Sequence, residues 1–248
     1  MNPKSPAKTT LPPAANLLLA ALPAADFDRI APHLQSIALA QGWALYESGS
    51  MMRHVYFPAA GIVSLVTTMG NGDVSDIALT GNEGVVGISL FMGGDTTPSR
   101  AIVRVEGHAY RFPAGILLQE FERGGELQHV LLRYTQALIT QMAQTAVCNR
   151  HHAIDQQLCR RLLLILDRSP TNALAITQAQ LANMMGVRRE GITEAAQHLQ
   201  DAGLIHYRRG RITVLDRTRL EQRVCECYAV VKRETDRLLS THGTGRAR

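Results

Sequence analysis

The stretch from Ile176 to Leu199 constrains this chain more than any other. Two short helical patterns meet there at Gly186. Thr177 is placed to cap the first helix, its hydroxyl taking an orphan amide of the next turn. Leu181, Met184 and Met185 give that helix one apolar face. Gly186 allows the sharp turn, because a left-handed backbone costs glycine nothing. Ile192, Ala195, Ala196 and Leu199 form the inner face of the second helix. Glu190, Glu194 and Gln197 point the other way, with Arg189 at the edge. The layout is that of a helix-turn-helix whose second helix keeps free polar side chains at its N-terminal end.

The flanks extend this pattern. Upstream, Ile154, Leu158, Leu162 and Ile165 lie on one helical stripe, with Arg160, Arg161 and Arg168 off it, and Ser169-Pro170-Thr171-Asn172 ends the helix. Downstream, Asp201 to Ile205 closes the second helix and starts a strand. His206-Tyr207-Arg208-Arg209-Gly210-Arg211 is a basic turn, and Ile212 to Leu215 is the return strand. A two-stranded hairpin with arginines at its tip is a wing, suited to phosphate or a minor groove. Asp216 caps a last helix, from Thr218 to about Leu239. The formal charge of the whole chain is +5, but residues 1–150 carry a net −1 and residues 151–248 a net +6. The half with the helix-turn-helix is thus the half suited to a polyanion. Arg217 joins Arg188, Arg189, Arg208, Arg209 and Arg211 as a cation expected near it.

The first half reads differently. From Gln35 to Pro113, glycines recur at the short spacing of an all-β roll or barrel. Val55 to Phe57, Ile62 to Thr68, Val74 to Leu79 and Ala101 to Val105 are strand-like. Asn71-Gly72 within Met69 to Asp73 marks a hairpin. Asn16 to Leu34 is helical in pattern, as is Gly115 to Phe121. From Glu126 to about Asn149 no Gly or Pro interrupts a long helix. Its stripe of Leu127, Leu131, Tyr134, Leu138 and Met142 suits either packing on the roll or, as the favoured reading, a two-fold dimer seam.

Composition excludes several classes. No apolar run is long enough to span a membrane. The first fifteen residues lack the apolar core of a secretory signal and are expected to be a disordered tail. Four cysteines, none in a CxxC pair, are too few for a disulfide scaffold and suit a reducing cytoplasm. Cys148, His151 and His152 lie at helical spacing. Two further ligands are not evident, and Cys225 and Cys227 fall on different faces of a helix, so no metal or other cofactor is expected. No GxSxG, HExxH or Walker pattern supports an enzyme.

From about residue 17 to 220 the chain resembles the Crp/Fnr family of bacterial transcription regulators. The resemblance rests on Val55-Tyr56-Phe57 leading to Gly61-Ile62-Val63-Ser64, on Gly87 to Arg104, on Gly186-Val187-Arg188-Arg189-Glu190, and on Gly203-Leu204-Ile205 with Gly210-Arg211-Ile212. It implies an α+β protein with an N-terminal antiparallel β-roll of the cyclic-nucleotide-binding type, a long dimerisation helix and a C-terminal winged helix-turn-helix. The corresponding expectation is a tail over 1–15, a sensor roll over 16–125, a dimerisation helix over 126–150, a DNA-binding domain over 151–240 and a tail over 241–248.

The family pattern puts base-reading residues at Arg189 and Glu190. Arginine can grip guanine O6 and N7, and glutamate can accept from cytosine N4. Glu194 stands where arginine is common, Gly191 where a phosphate-contacting threonine is usual, and Arg188 where a serine commonly caps the helix. The expected DNA-contacting set is Thr177, Gln178, Arg188, Arg189, Glu190, Thr193, Glu194, Gln197, Arg208, Arg209 and Arg211. In the roll, Gly84, Gly87, Ile88, Ser99 and Arg100 are the candidate effector residues. Ile88 replaces the glutamate that holds a ribose, and Arg100 is displaced by one strand position, so cyclic AMP is not expected to bind by the usual contacts. A cyclic dinucleotide or small organic effector controlling DNA binding is the alternative. Double-stranded DNA, a second copy of the chain and RNA polymerase are the expected partners.

Overall fold

The computed structural model describes residues 11–239. After α1 (Leu17–Ala20) and α2 (Ala24–Ile30), one antiparallel sheet is built from β1 (Gln35–Leu39), β2 (Ala44–Tyr46), β3 (His54–Thr68), β4 (Val74–Thr80) and β5 (Arg100–Pro113). The strand order is β1-β5-β3-β4, with β2 also paired to β5. The two short runs anticipated at Val55 and Ile62 are one long strand. Its register against β5 shifts between Pro58 and Val63, and bulges of this kind bend the pair and curl the sheet into a roll. At the bend Gly61 holds φ +90°, and a Cβ there would come within 2.7 Å of the Val105 carbonyl oxygen. The hairpin at Asn71-Gly72 joins β3 to β4, and Asn71 Oδ1 accepts from the Asp73 amide at 3.1 Å.

The helical pattern of Asn16 to Leu34 is divided. Pro23 has no amide to donate and disfavours a helical residue before it, so α1 and α2 are separate. Asn16 is fully buried. Its Oδ1 accepts from the Leu18 and Leu19 amides, and its Nδ2 donates to the carbonyls of Pro58 (2.8 Å) and Gly84 (2.9 Å), pinning α1 to the roll. The tail expected through Ala15 is shorter than that, because Leu11 and Ala15 pack against the roll's core and the Tyr110 hydroxyl donates to the Leu11 carbonyl. Residues 1–10 and the expected tail at 241–248 lie outside the described residues.

The chain continues through α3 (Ala114–Glu122) into α4 (Glu126–His151), a helix about 39 Å long at 1.5 Å per residue. β4 is an edge of the sheet, and such an edge exposes unpaired backbone groups. Here α4 covers it. The buried Gln141 amide stands in for a partner strand, accepting from the Leu79 amide (2.7 Å) and donating to the Leu79 carbonyl (3.1 Å). One turn-pair away, the Tyr134 and Thr80 hydroxyls meet at 2.9 Å.

The second half holds α5 (Ile154–Leu166), β6 (Ala173–Ala175), α6 (Gln178–Met185), α7 (Arg189–Asp201), β7 (Ile205–Arg208), β8 (Arg211–Val214), α8 (Arg217–Arg223) and α9 (Glu226–Leu239). The wing is three-stranded, in order β6-β8-β7; β6 is too short to announce itself by alternation. The expected last helix is two helices, broken where Val224 is extended (φ −69°, ψ 153°). Leu158, Leu162, Leu181, Met184, Ile192 and Leu199 form the core of this half. Ile62 and Leu79 of the roll are buried in the same cluster, so the halves share a core. Asp76, fully buried on β4, ties them further. It pairs with Arg104 at 2.5 Å and lies 3.8 Å from Arg161 on α5. Burial pulls the Arg161 pKa down to about 10, against the pull of Asp76. Arg161 also donates to the Met184 carbonyl of α6.

Candidate nucleic-acid interface

Local sequence builds the turn between α6 and α7. The Thr177 hydroxyl accepts from the Gln180 amide (3.1 Å) and Gln180 Oε1 accepts from the Thr177 amide (2.8 Å), a reciprocal cap. Gly186 ends α6 at φ +65°. Arg188 starts α7 with no side-chain cap. Ile192, Ala195, Ala196 and Leu199 are buried, whereas Arg188, Arg189, Glu190, Thr193, Glu194 and Gln197 are exposed.

The wing sits beside this face. The Gln178 amide donates to the Tyr207 hydroxyl, and the Tyr207 amide donates to Gln200 Oε1. At the tip, a Cβ on Gly210 would lie 3.3 Å from the Thr177 methyl. Thr193 Oγ1 lies 2.8 Å from Gln178 Oε1 and 3.1 Å from the Arg189 carbonyl, joining α6 to α7. Thr177, Gln178, Arg189, Thr193 and the wing turn are thus one neighbourhood. Gln197 is engaged by Asp201 at 2.6 Å.

Arginine commitments divide sharply. Arg188, Arg189, Arg208, Arg209 and Arg211 are exposed and make no ion pair among the described residues. Arg217, expected with them, is engaged elsewhere: it pairs with Asp167 (2.5 Å) and Glu221 (2.8 Å) and donates to the Tyr228 hydroxyl. Gly191, which sequence alone left as a missing threonine, has a packing reason. A Cβ there would meet Ile154 Cδ1 at 2.7 Å.

The candidate effector residues are each engaged locally. A side chain at Gly84 would run into the Tyr134 ring. Gly87 holds φ +108° before the short 3-10 helix Ile88–Leu90, where Ile88 packs on the roll's core. The Ser99 amide donates to Thr97 Oγ1. Arg100 pairs with Glu47 at 2.5 Å. A cavity of about 340 Å³ opens at a different place, where the two halves meet. It is lined by Leu17, Asn82 and Glu83 on one side and by Leu164, Arg168, Val231, Lys232 and Leu239 on the other.

The stripe favoured as a dimer seam is turned inward. Leu127, Leu131, Tyr134 and Leu138 are buried in the chain's own core and Met142 packs against it. The large apolar residues that α4 exposes are Leu132, Ile139 and Val147. The cysteine expectation also changes. Cys225 sits in the break between α8 and α9 and not inside a helix, so helical spacing does not separate it from Cys227. Both are buried with Cys148, and His152, unlike exposed His151, turns toward Cys227. Burial pushes the Cys148 and Cys159 thiols up to about 12.

Two family models match the chain: the cyclic nucleotide-binding domain over residues 37–123 and the Crp-like helix-turn-helix domain over residues 156–223. Together they account for more than half its length. No curated protein matches it. Solved structures share its fold at low identity. A Crp/Fnr-family transcriptional regulator from Eubacterium rectale is 20% identical, with TM-score 0.66 over 83% of this chain and 96% of that one. FixK2 from Bradyrhizobium japonicum is 15% identical, with TM-score 0.65 over 77% and 98%. The c-di-GMP responsive global regulator CLP from Xanthomonas campestris is 17% identical, with TM-score 0.64 over 78% and 100%. No helix among the described residues is long and apolar enough to cross a membrane.

Proposed function

This chain belongs to the Crp/Fnr family of DNA-binding transcription regulators, and we propose that it acts in the cytoplasm as a homodimer on a pseudo-palindromic operator, with α7 in the major groove and the wing on phosphate. One observation carries this reading. Five of the seven described arginines of the second half that are exposed and make no ion pair cluster at the start of α7 and on the wing, the other two being Arg219 on α8 and Arg233 on α9, while the remaining described arginines of this half are held in ion pairs or buried. Arg189 and Glu190 read bases. Arg188, Arg208, Arg209 and Arg211 hold the backbone, assisted by the capped start of α6. Glu194 adds an acceptor where a guanine-reading cation is common, which favours an operator with cytosine or adenine amino groups there.

Ligand control is part of the proposal. The cavity between the halves has the size and the domain-boundary position of a small-molecule site. Ile88 and the Arg100–Glu47 pair argue against cyclic AMP held in the family's usual way.

Salt titration of DNA binding tests the wing. Replacing Arg208, Arg209 and Arg211 by alanine is expected to weaken all sequences alike and to flatten the log–log salt slope by roughly 0.9 per lost phosphate contact. An unchanged slope removes the wing from the interface. The same titration with and without a cyclic dinucleotide tests ligand control, and identical curves reject that effector.

A further inference from the structure

We propose that Cys148, His152, Cys225 and Cys227 form a binding site for a single zinc-class divalent ion. Their four ligand atoms all lie within 4.8 Å of one another, and the three cysteines are buried. Cys148 Sγ is 3.6 Å from Cys225 Sγ, and Cys227 Sγ is 3.6 Å from His152 Nδ1. A tetrahedral zinc ion, with bonds of ~2.3 Å to sulfur and ~2.0 Å to nitrogen, sets its ligands about 3.8 Å apart for two sulfurs and about 3.5 Å for sulfur and nitrogen. Two of the ligand pairs already lie close to those spacings, and the others within 4.8 Å. Three thiolates and an imidazole are the donor set of a closed structural site, with no position left for substrate.

The surroundings point the same way. His152 Nε2 lies 3.4 Å from Glu226 Oε2. A carboxylate on the far ring nitrogen holds the tautomer that leaves Nδ1 free to ligate. Arg160 is buried and makes no ion pair among the described residues. One Nη donates to the Thr145 hydroxyl at 2.8 Å, but its Nε has no partner, and its guanidinium faces the three cysteines. A buried cation without a countercharge is costly. Binding forms three metal–sulfur bonds and one metal–nitrogen bond and releases three thiol protons to solvent. The occupied site then carries a net −1, the charge Arg160 lacks.

The ligands come from distant parts of the chain. Cys148 lies in the last turn of α4 and His152 directly follows that helix, while Cys225 and Cys227 flank the start of α9. His152 and Ala153 are the extended residues between α4 and α5. A bound ion therefore clasps α9 to the end of the long helix at the joint between the two halves.

Cobalt titration of the full chain, reduced and stripped with chelator, tests the site. The expected result is about one Co²⁺ per chain, with thiolate charge-transfer absorption and the strong visible bands of tetrahedral cobalt, displaced by equimolar Zn²⁺. Cys148→Ser and Cys225→Ser are expected to weaken binding at least about a hundredfold, and Glu226→Gln about tenfold. Cys159→Ser, buried outside the cluster, leaves binding intact. The proposal is overturned if the wild-type protein gives no charge-transfer band, if Cys159→Ser loses as much affinity as Cys225→Ser, or if the reduced chain forms a Cys148–Cys225 disulfide in air and takes up no metal. The wild-type spectrum decides even where a serine variant fails to fold.

Discussion

Arg209 holds φ +49° at the tip of the wing, followed by Gly210 at +73°. Between the paired residues Arg208 and Arg211, two left-handed residues make a type I′ turn, for which asparagine and glycine are preferred. An arginine in that conformation costs roughly 1–2 kcal/mol relative to glycine. Strain kept at an exposed position suggests that the side chain is retained for what it touches outside the chain. Arg209→Gly is expected to raise stability in urea by about 1 kcal/mol while weakening DNA binding. A variant that is more stable and binds DNA as well as before would dissociate Arg209 from the interface. Residues of this kind divide by how far away their reason lies. The exposure of Arg189 and Glu190 was legible because position on an exposed helix face is a local property. Asn16, Gln141 and Gly191 were not, because their partners (Pro58 and Gly84, Leu79, Ile154) are distant in sequence.

At the scale of elements, α4 carries two apolar stripes, and periodicity reveals a stripe without saying what it faces. Leu127, Leu131, Tyr134 and Leu138 satisfy their own roll. Leu132 and Ile139, seven residues apart and about half exposed, have the spacing of a helix–helix seam and are the residues we assign to the proposed dimer. Leu132→Glu with Ile139→Glu is expected to give a monomer in sedimentation equilibrium with near-native thermal stability, since neither side chain is in the core. A double variant that still sediments as a dimer places the seam elsewhere. The bent strands and the split final helix were hidden for a related reason. Bulges between β3 and β5 depend on pairing across the sheet, and no Gly or Pro announces the break at Val224, where burial of Cys225 and Cys227 wins over helix continuity.

In the whole molecule, the modest +5 resolves into a nearly neutral roll and a basic half, and the basic half into committed and uncommitted arginines. The halves are not independent beads. They share Ile62 and Leu79 in one core, and the Asp76–Arg161 contact runs from β4 to α5, with Arg161 reaching on to α6. α4 is fastened to the same strand by Gln141 and Tyr134. A change in the roll thus has contiguous packed routes to the DNA-binding face. Selection from randomised duplexes measures whether α7 reads duplex DNA through Arg189. The wild-type chain is expected to enrich a two-fold symmetric site with half-sites about one helical turn apart. Arg189→Ala is expected to keep that spacing, lose preference at one base pair per half-site and lose roughly 1–3 kcal/mol on the wild-type sequence. Enrichment of the same bases with the same affinity by the variant, or of no symmetric site by the wild type, would show that α7 does not read the operator through Arg189.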